Sequence, residues 1–339
     1  AAPSTFRRPT IAMEFPRVLV VGGSGFIGRT IVSYLVARGH QVVVPTRRRA
    51  RANRLFLFPT CEVVEADVHD YSVLAPLVAR CDAVVNLVGV LHSHRGDPYG
   101  PEFARAHVDL PRNLVHAMDE AGMGGARPGR LLHMSALGAS PQGPSMYLRS
   151  KADGEAAARS LPGIATTVFR PSVVFGPDDN FLNMFARLAQ WLPVLPIGGA
   201  NVRMQPVFVE DVAMAFVQAL GNPATFGQTY TLCGPQVYTL REIVRIAAAA
   251  SGHPRWVVGL PDVLARLQAW LLERMPGEPL LSVDNLDSLR VDNVAPEGWQ
   301  IAPELGIANL TPLEQQAVYY VRHGHPRTHF DAFRARARR

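Results

Sequence analysis

Lysine is almost missing from this 339-residue chain: of its 34 basic residues only Lys151 is a lysine. A position that keeps ammonium where every other cation is guanidinium marks chemistry that arginine does not supply. Cysteine is also scarce. Cys61, Cys81 and Cys233 are scattered and odd in number, which excludes a disulfide framework and reads as buried thiols in a reducing compartment. Long hydrophobic runs are lacking too, since nothing approaches the roughly 18 apolar residues of a membrane span. The N-terminus has Arg7 and Arg8 but no apolar signal core, and Met13 is a candidate natural start that would make 1–12 an extension. Finally, no carboxylate occurs between Glu14 and Glu62.

What is present suits a large-cored globular protein, with 48% apolar and 18% charged residues. The formal charge of +6 is concentrated at the end, because 322–339 holds six Arg and one Asp. The body is therefore almost neutral, which argues against nucleic acid as a partner. The basic tail fits an acidic partner or anionic lipid, and equally a solvated terminus.

From Arg17 to Arg170 short apolar strands alternate with helical stretches. Strands are expected at 17–21, 41–44, 62–64, 83–87, 130–134 and 165–169, with helices at 26–38, 49–57, 72–78, 103–121 and 147–159. Such alternation predicts an α/β fold, a Rossmann-like doubly wound parallel sheet of about seven strands. The expected division is a dinucleotide-binding domain over 13–170, its sheet completed by 205–233. A smaller C-terminal substrate or partner lobe takes 171–204 and 234–321, before the tail at 322–339. Within the lobe, Thr239 and Glu242 form a capping-box pattern. Leu264, Leu267 and Leu271 lie on one face of a helix opened by Pro261 and are expected to be core.

The segment Gly22-Gly23-Ser24-Gly25-Phe26-Ile27-Gly28 follows the first strand and opens the first helix. Glycines there let a pyrophosphate approach free N–H groups at the helix N-terminus, so Gly22, Ser24, Gly25, Phe26 and Ile27 are assigned to a dinucleotide. Sites for NAD place a carboxylate after the second strand to hold the ribose 2′-hydroxyl. Here Arg47 and Arg48 stand instead, suited to a 2′-phosphate, so NADP(H) is expected ahead of NAD(H). Asp67 and Val68 after the third strand, and Leu87, Val88 and Gly89 after the fourth, complete the expected cradle.

Tyr147 and Lys151 lie one helical turn apart, and Ser135 closes the strand before them. A phenol is a poor base near neutrality unless a neighbouring cation favours phenolate. Ser135, Tyr147 and Lys151 are therefore the catalytic candidates. Tyr147 exchanges a proton with a substrate oxygen, Ser135 holds that oxygen, and Lys151 also binds the nicotinamide ribose. His92 and His94 read as loop histidines, and no metal site is expected.

These residues make the chain resemble the short-chain dehydrogenase/reductase superfamily over roughly Arg17 to Val321. The run Arg170-Pro171-Ser172-Val173-Val174-Phe175-Gly176-Pro177 resembles its extended and atypical members, and implies that Pro171 and Val173 face the nicotinamide. Gly25-Phe26-Ile27-Gly28-Arg29, Tyr147-Leu148-Arg149-Ser150-Lys151 and Asp178, Asn180 and Phe181 are most similar to one epimerase/dehydratase-like branch. That branch contains the NADPH-binding accessory subunits of the complex I alpha subcomplex subunit 9 family. The resemblance implies tight NADPH binding without established turnover and a membrane-associated respiratory or quinone-synthesis complex as partner. It places the protein in a bacterial cytoplasm or on the mitochondrial matrix side, peripheral to the inner membrane. Ser135-Ala136-Leu137-Gly138 departs from the sugar-nucleotide epimerase pattern, which argues against a nucleotide-sugar substrate. With Tyr147 and Lys151 both kept, the alternative is an active NADP(H)-dependent oxidoreductase acting on a small carbonyl or quinone-like substrate.

Overall fold

The computed structural model describes residues 15–125, 127–274 and 279–323. The expected extension at 1–12 and nearly all of the basic tail lie outside the described residues. The chain begins as β1 (Arg17–Val21), α1 (Phe26–Ala37), β2 (Gln41–Thr46), a 3-10 turn (Arg49–Leu57) and β3 (Cys61–Glu65). It continues through α2 (Tyr71–Ala79) and β4 (Ala83–Asn86) to a composite helix of α3 (Pro101–Phe103), a π-helical stretch (Ala104–Asp109) and α4 (Leu110–Glu120). Then follow β5 (Gly129–Met134), α5 (Met146–Ala158) and β6 (Ile164–Pro171). The expected helix at 49–57 is thus 3-10. It has no acidic residue in its first turn, and it buries only Ala52 and Leu55.

Seven parallel strands run in the order β11-β6-β5-β4-β1-β2-β3, where β11 is Thr229–Leu232. Strand order reverses between β1 and β4, and the crevice outside such a reversal is where open α/β sheets bind ligands. Val18 and Val20 of β1 pack into the core cluster that holds Ile31 and Phe216, while Leu19 and Val21 face the one that holds Leu74 and Leu114. Side chains alternating between two buried faces explain why the strand is apolar from Val18 to Val21.

After β6 come β7 (Val174–Phe175), α6 (Leu182–Trp191), β8 (Val194–Ile197), β9 (Arg203–Met204), β10 (Val207–Phe208) and α7 (Val209–Leu220). After β11 come β12 (Tyr238–Thr239), α8 (Leu240–Ala250), β13 (Trp256–Gly259), α9 (Asp262–Leu272), α10 (Val283–Ser288) and α11 (Leu313–His323). α7 returns to the sheet against α1, while α6, α8 and α11 surround a second core that includes Phe175, Ile243 and Leu313. The capping box at Thr239 and Glu242 is present.

One expectation is overturned. Leu264, Leu267 and Leu271 of α9 are 50%, 52% and 54% exposed, and the helix buries Ala265 and Ala269 instead. Periodicity identified the helix face but not the side turned inward. The backbone at Gly198 approaches so closely that a Cβ there would lie 2.8 Å from that of Ala265, leaving room only for small residues between them.

Candidate active site

The glycine loop has a backbone geometry open enough for a phosphate to approach. Gly22 has φ +86°, a left-handed conformation that glycine adopts without strain. A Cβ on Gly28 would sit 2.3 Å from the Gly22 carbonyl oxygen, so the helix lies on the turn only because that side chain is missing. No side chain caps the N-terminus of α1 at Gly25, and no acidic residue occupies its first turn. Those N–H groups and the helix dipole therefore face the crevice without a competing anion from the helix's own first turn. The β4 end is adjacent, since a Cβ on Gly22 would lie 3.2 Å from the Val88 nitrogen. Asn86 Oδ1 accepts from Val88 N–H at 3.2 Å and fixes this turn.

Arg47 and Arg48 are exposed at the end of β2, and neither takes part in an ion pair among the described residues. His69 is held below its ordinary pKa by burial first and then by Arg105, with Arg47 contributing, so Arg47 and the Asp67 turn share one neighbourhood. Asp67 accepts from His69 N–H at 3.1 Å and pairs with Arg105 at 3.5 Å. Val68 packs against the core around Leu74. One residue of this margin escaped the sequence reading as a contact. Asp178, with φ 68°, takes Arg54 and Arg29 as partners, the latter at 3.4 Å. Nothing in the sequence signalled a carboxylate 149 positions away from Arg29.

Helix α5 places Tyr147 and Lys151 on one face. Ser145 caps it, accepting from Leu148 N–H, and Asp284 of α10 accepts from Met146 and Tyr147 N–H at 2.7 and 3.1 Å. The Lys151 ammonium lies 5.8 Å from the Tyr147 ring centroid and donates to the Met134 carbonyl at 3.3 Å. Burial raises the Tyr147 phenol to about 12. It also lowers the Lys151 ammonium to about 8, against an upward pull from Glu155. A Cβ on Gly89 would lie 3.1 Å from Lys151 Nζ, so the Leu87–Gly89 turn passes over the lysine. The structure thus brings Gly22–Gly28, the β4 turn, Tyr147 and Lys151 to one edge of the sheet.

Ser135 is differently engaged. Its hydroxyl donates to Glu155, which also takes a two-point grip from Arg170 at 2.8 and 2.6 Å. That network is buried at the serine and the carboxylate. Pro171, whose carbonyl accepts from Leu137 N–H at 2.9 Å, is buried. Val173, whose carbonyl accepts from Val207 N–H at 3.0 Å, is half-buried.

Two histidines that the sequence did not single out lie behind the lysine. His107, in the π-helical stretch, accepts from Val90 N–H at Nε2 (3.0 Å). Its Nδ1 therefore carries the proton and faces Ser150 Oγ at 2.8 Å. Its ring is stacked on Phe103 and meets Tyr147 edge-on. Burial first, then Lys151, pushes His107 well below its ordinary pKa, and His133 falls to about 3 for the same reasons. Both are neutral at physiological pH. The π-bulge could not be read from the residue pattern, because an extra backbone residue per turn leaves no compositional trace. His94 pairs with Glu102 at 2.5 Å in a separate loop.

A model of the family described as "NAD dependent epimerase/dehydratase family" matches residues 18–233. The chain belongs to that family. Its curated relatives include complex I subunits. The mitochondrial NADH dehydrogenase [ubiquinone] 1 alpha subcomplex subunit 9 of Mus musculus is 30% identical over 89% of this chain and 79% of its own length. The subunit of that name from Arabidopsis thaliana is 32% identical over 81% and 70%. A ceramide reductase of Caulobacter vibrioides is 28% identical over 72% and 74%. Among solved structures, UDP-glucuronic acid 4-epimerase of Bacillus cereus, in complex with UDP-glucuronic acid and NAD, superposes with a TM-score of 0.67. It is 16% identical over 90% of this chain and 98% of its own, a likeness of fold. As an epimerase/dehydratase family member the chain binds a nicotinamide dinucleotide.

Proposed function

We propose that the protein is an NADP(H)-loaded accessory subunit of a respiratory membrane complex, related in role to the subunit 9 proteins. The single observation that carries the cofactor choice is Arg47 and Arg48 at the end of β2, exposed and unopposed by any carboxylate from Phe15 to Cys61. A bidentate guanidinium recognises a 2′-phosphate and has no equivalent partner on a 2′-hydroxyl. Identity to subunit 9 proteins over most of the chain supports the assembly role. The engagement of Ser135 by Glu155, itself gripped by Arg170, supports a site that holds cofactor rather than turning it over.

In this reading the glycine loop receives the pyrophosphate, Arg47 and Arg48 the 2′-phosphate, and Lys151 the nicotinamide ribose. The dinucleotide, when bound, supplies hydride chemistry. Native mass spectrometry of freshly purified protein should show one NADP(H) per chain. Replacing both arginines (Arg47→Glu, Arg48→Glu) should weaken NADPH by about tenfold or more and leave NADH nearly unchanged. Bound NAD(H), or an unaltered NADPH affinity, defeats the cofactor assignment. Affinity purification from native membranes should recover respiratory or quinone-synthesis proteins, and their absence defeats the assembly role.

A second reading, an active oxidoreductase, is favoured by the Tyr147 and Lys151 geometry and by identity to a ceramide reductase. Tyr147 would deliver a proton to a carbonyl oxygen as hydride arrives from the cofactor. NADPH oxidation with a panel of carbonyl and quinone-like substrates should then fall about 100-fold or more in Tyr147→Phe. Turnover that survives the substitution removes Tyr147 from the chemistry.

A further inference from the structure

Many of the large apolar side chains exposed among the described residues gather on one part of the small lobe. Trp191 is 84% exposed, Trp256 79% and Val263 77%, and the three exposed leucines of α9 lie alongside. Strands β8 and β13 pair in parallel, with Trp256 opposite Val194 and Val258 opposite Pro196. Leu195 and Val257 point inward, so the outward row of both strands is apolar. Helix α9 adjoins this row, where Gln268 Nε2 donates to the Pro196 carbonyl at 3.3 Å. Arg255 donates to the Ala189 carbonyl at 2.7 Å, which brings the end of α6 with Trp191 alongside Trp256. Single exposed apolar residues are ordinary, but a contiguous set this large marks a contact surface.

Charge indicates the occupant. Arg187, Arg255 and Arg274 border the face, and none of them is in an ion pair among the described residues. Of the described carboxylates of α9, Asp262 is paired with Arg266 and Glu273 accepts from Val283 N–H. The Arg274 guanidinium lies 3.7 Å over the Trp270 ring. Indole rings beside guanidinium groups match the boundary between acyl chains and phosphates, where an aromatic body and a cationic tip are solvated at once. No described helix is long and apolar enough to cross a membrane, so contact is in the plane of the interface.

We infer that the β8–β13 face and α9 form a docking surface for an anionic lipid bilayer, seating the protein peripherally. The inference goes beyond the accessory-subunit role and stands without it, because it is tested on purified protein with no complex present. Full-length protein should float with vesicles of phosphatidylcholine containing about one-third phosphatidylglycerol, less with phosphatidylcholine alone, and less at high salt. Two separate double variants, Trp191→Ser with Trp256→Ser and Leu267→Gln with Leu271→Gln, should bind these vesicles about tenfold more weakly while retaining the parent's cofactor affinity. Three of the protein's four tryptophans lie on this face, so parental fluorescence should shift to the blue and be quenched by brominated lipid. That readout does not depend on any variant folding. The inference is overturned if the parent ignores anionic vesicles with unchanged emission, or if both variants float as the parent does. It is equally overturned if sedimentation shows a parental dimer that the variants dissolve, since a second copy would then cover the face.

Discussion

At the scale of single residues, Lys151 shows how burial sets chemistry. Its ammonium falls from an ordinary 10.5 to about 8 because the site removes water, although Glu155 pulls the other way. The two consequences have opposite signs. Between about pH 8 and 10.5 the unfolded chain holds a proton that the folded, cofactor-free protein has released, so this group's contribution to stability rises with pH. With the ribose at Lys151 as proposed, dinucleotide affinity moves the other way, since the ammonium is lost as pH climbs through about 8. Titration calorimetry from pH 7 to 9 should therefore show weakening affinity that Lys151→Met flattens. An equally steep profile in that variant would assign the pH dependence elsewhere. The sole lysine was legible in the sequence, but its surroundings were not. His107, His133 and Glu155 reach it from a π-bulge, a strand end and the next helical turn, which only packing brings together.

At the scale of elements, the strands were read most securely, because residues buried on both faces of a parallel sheet must be apolar throughout. Arg17–Val21 was placed without error, whereas 62–64 extends to Cys61–Glu65 at the sheet edge. The same sheet contains a residue that contradicts the pattern. Arg130 is fully buried in β5 and donates to the carbonyls of Ala219, Leu220 and Ala165 and to Thr225. Its cation sits at the C-terminus of α7, where the dipole is negative, and stacks on Phe226. It ties the returning helix to the sheet. Arg130→Ala leaves several buried acceptors unpaired and should cost about 3 kcal/mol or more in urea unfolding. A loss below about 1 kcal/mol would show that water replaces it.

At the scale of the whole molecule, the small lobe does more than flank the sheet. Asp284 stands 138 positions from Met146, yet its carboxylate receives the first N–H groups of the helix that carries Tyr147 and Lys151. Asp284→Asn should lower thermal stability by about 1–2 kcal/mol and weaken dinucleotide binding as well. Lost stability with unchanged binding would make the contact purely structural. What the sequence by itself determined was whatever short-range chemistry encodes: the alternation that forces a parallel sheet, the glycine turn, the missing carboxylate after β2, and the one-turn spacing of Tyr147 and Lys151. Tertiary structure decided the rest. It set which side of α9 faces inward, where the Ser135 hydroxyl points, and which distant carboxylates meet Arg29 of α1 and the first turn of α5. Those depend on the volume left between packed elements and on partners far away in the chain, and neither leaves a local pattern to read.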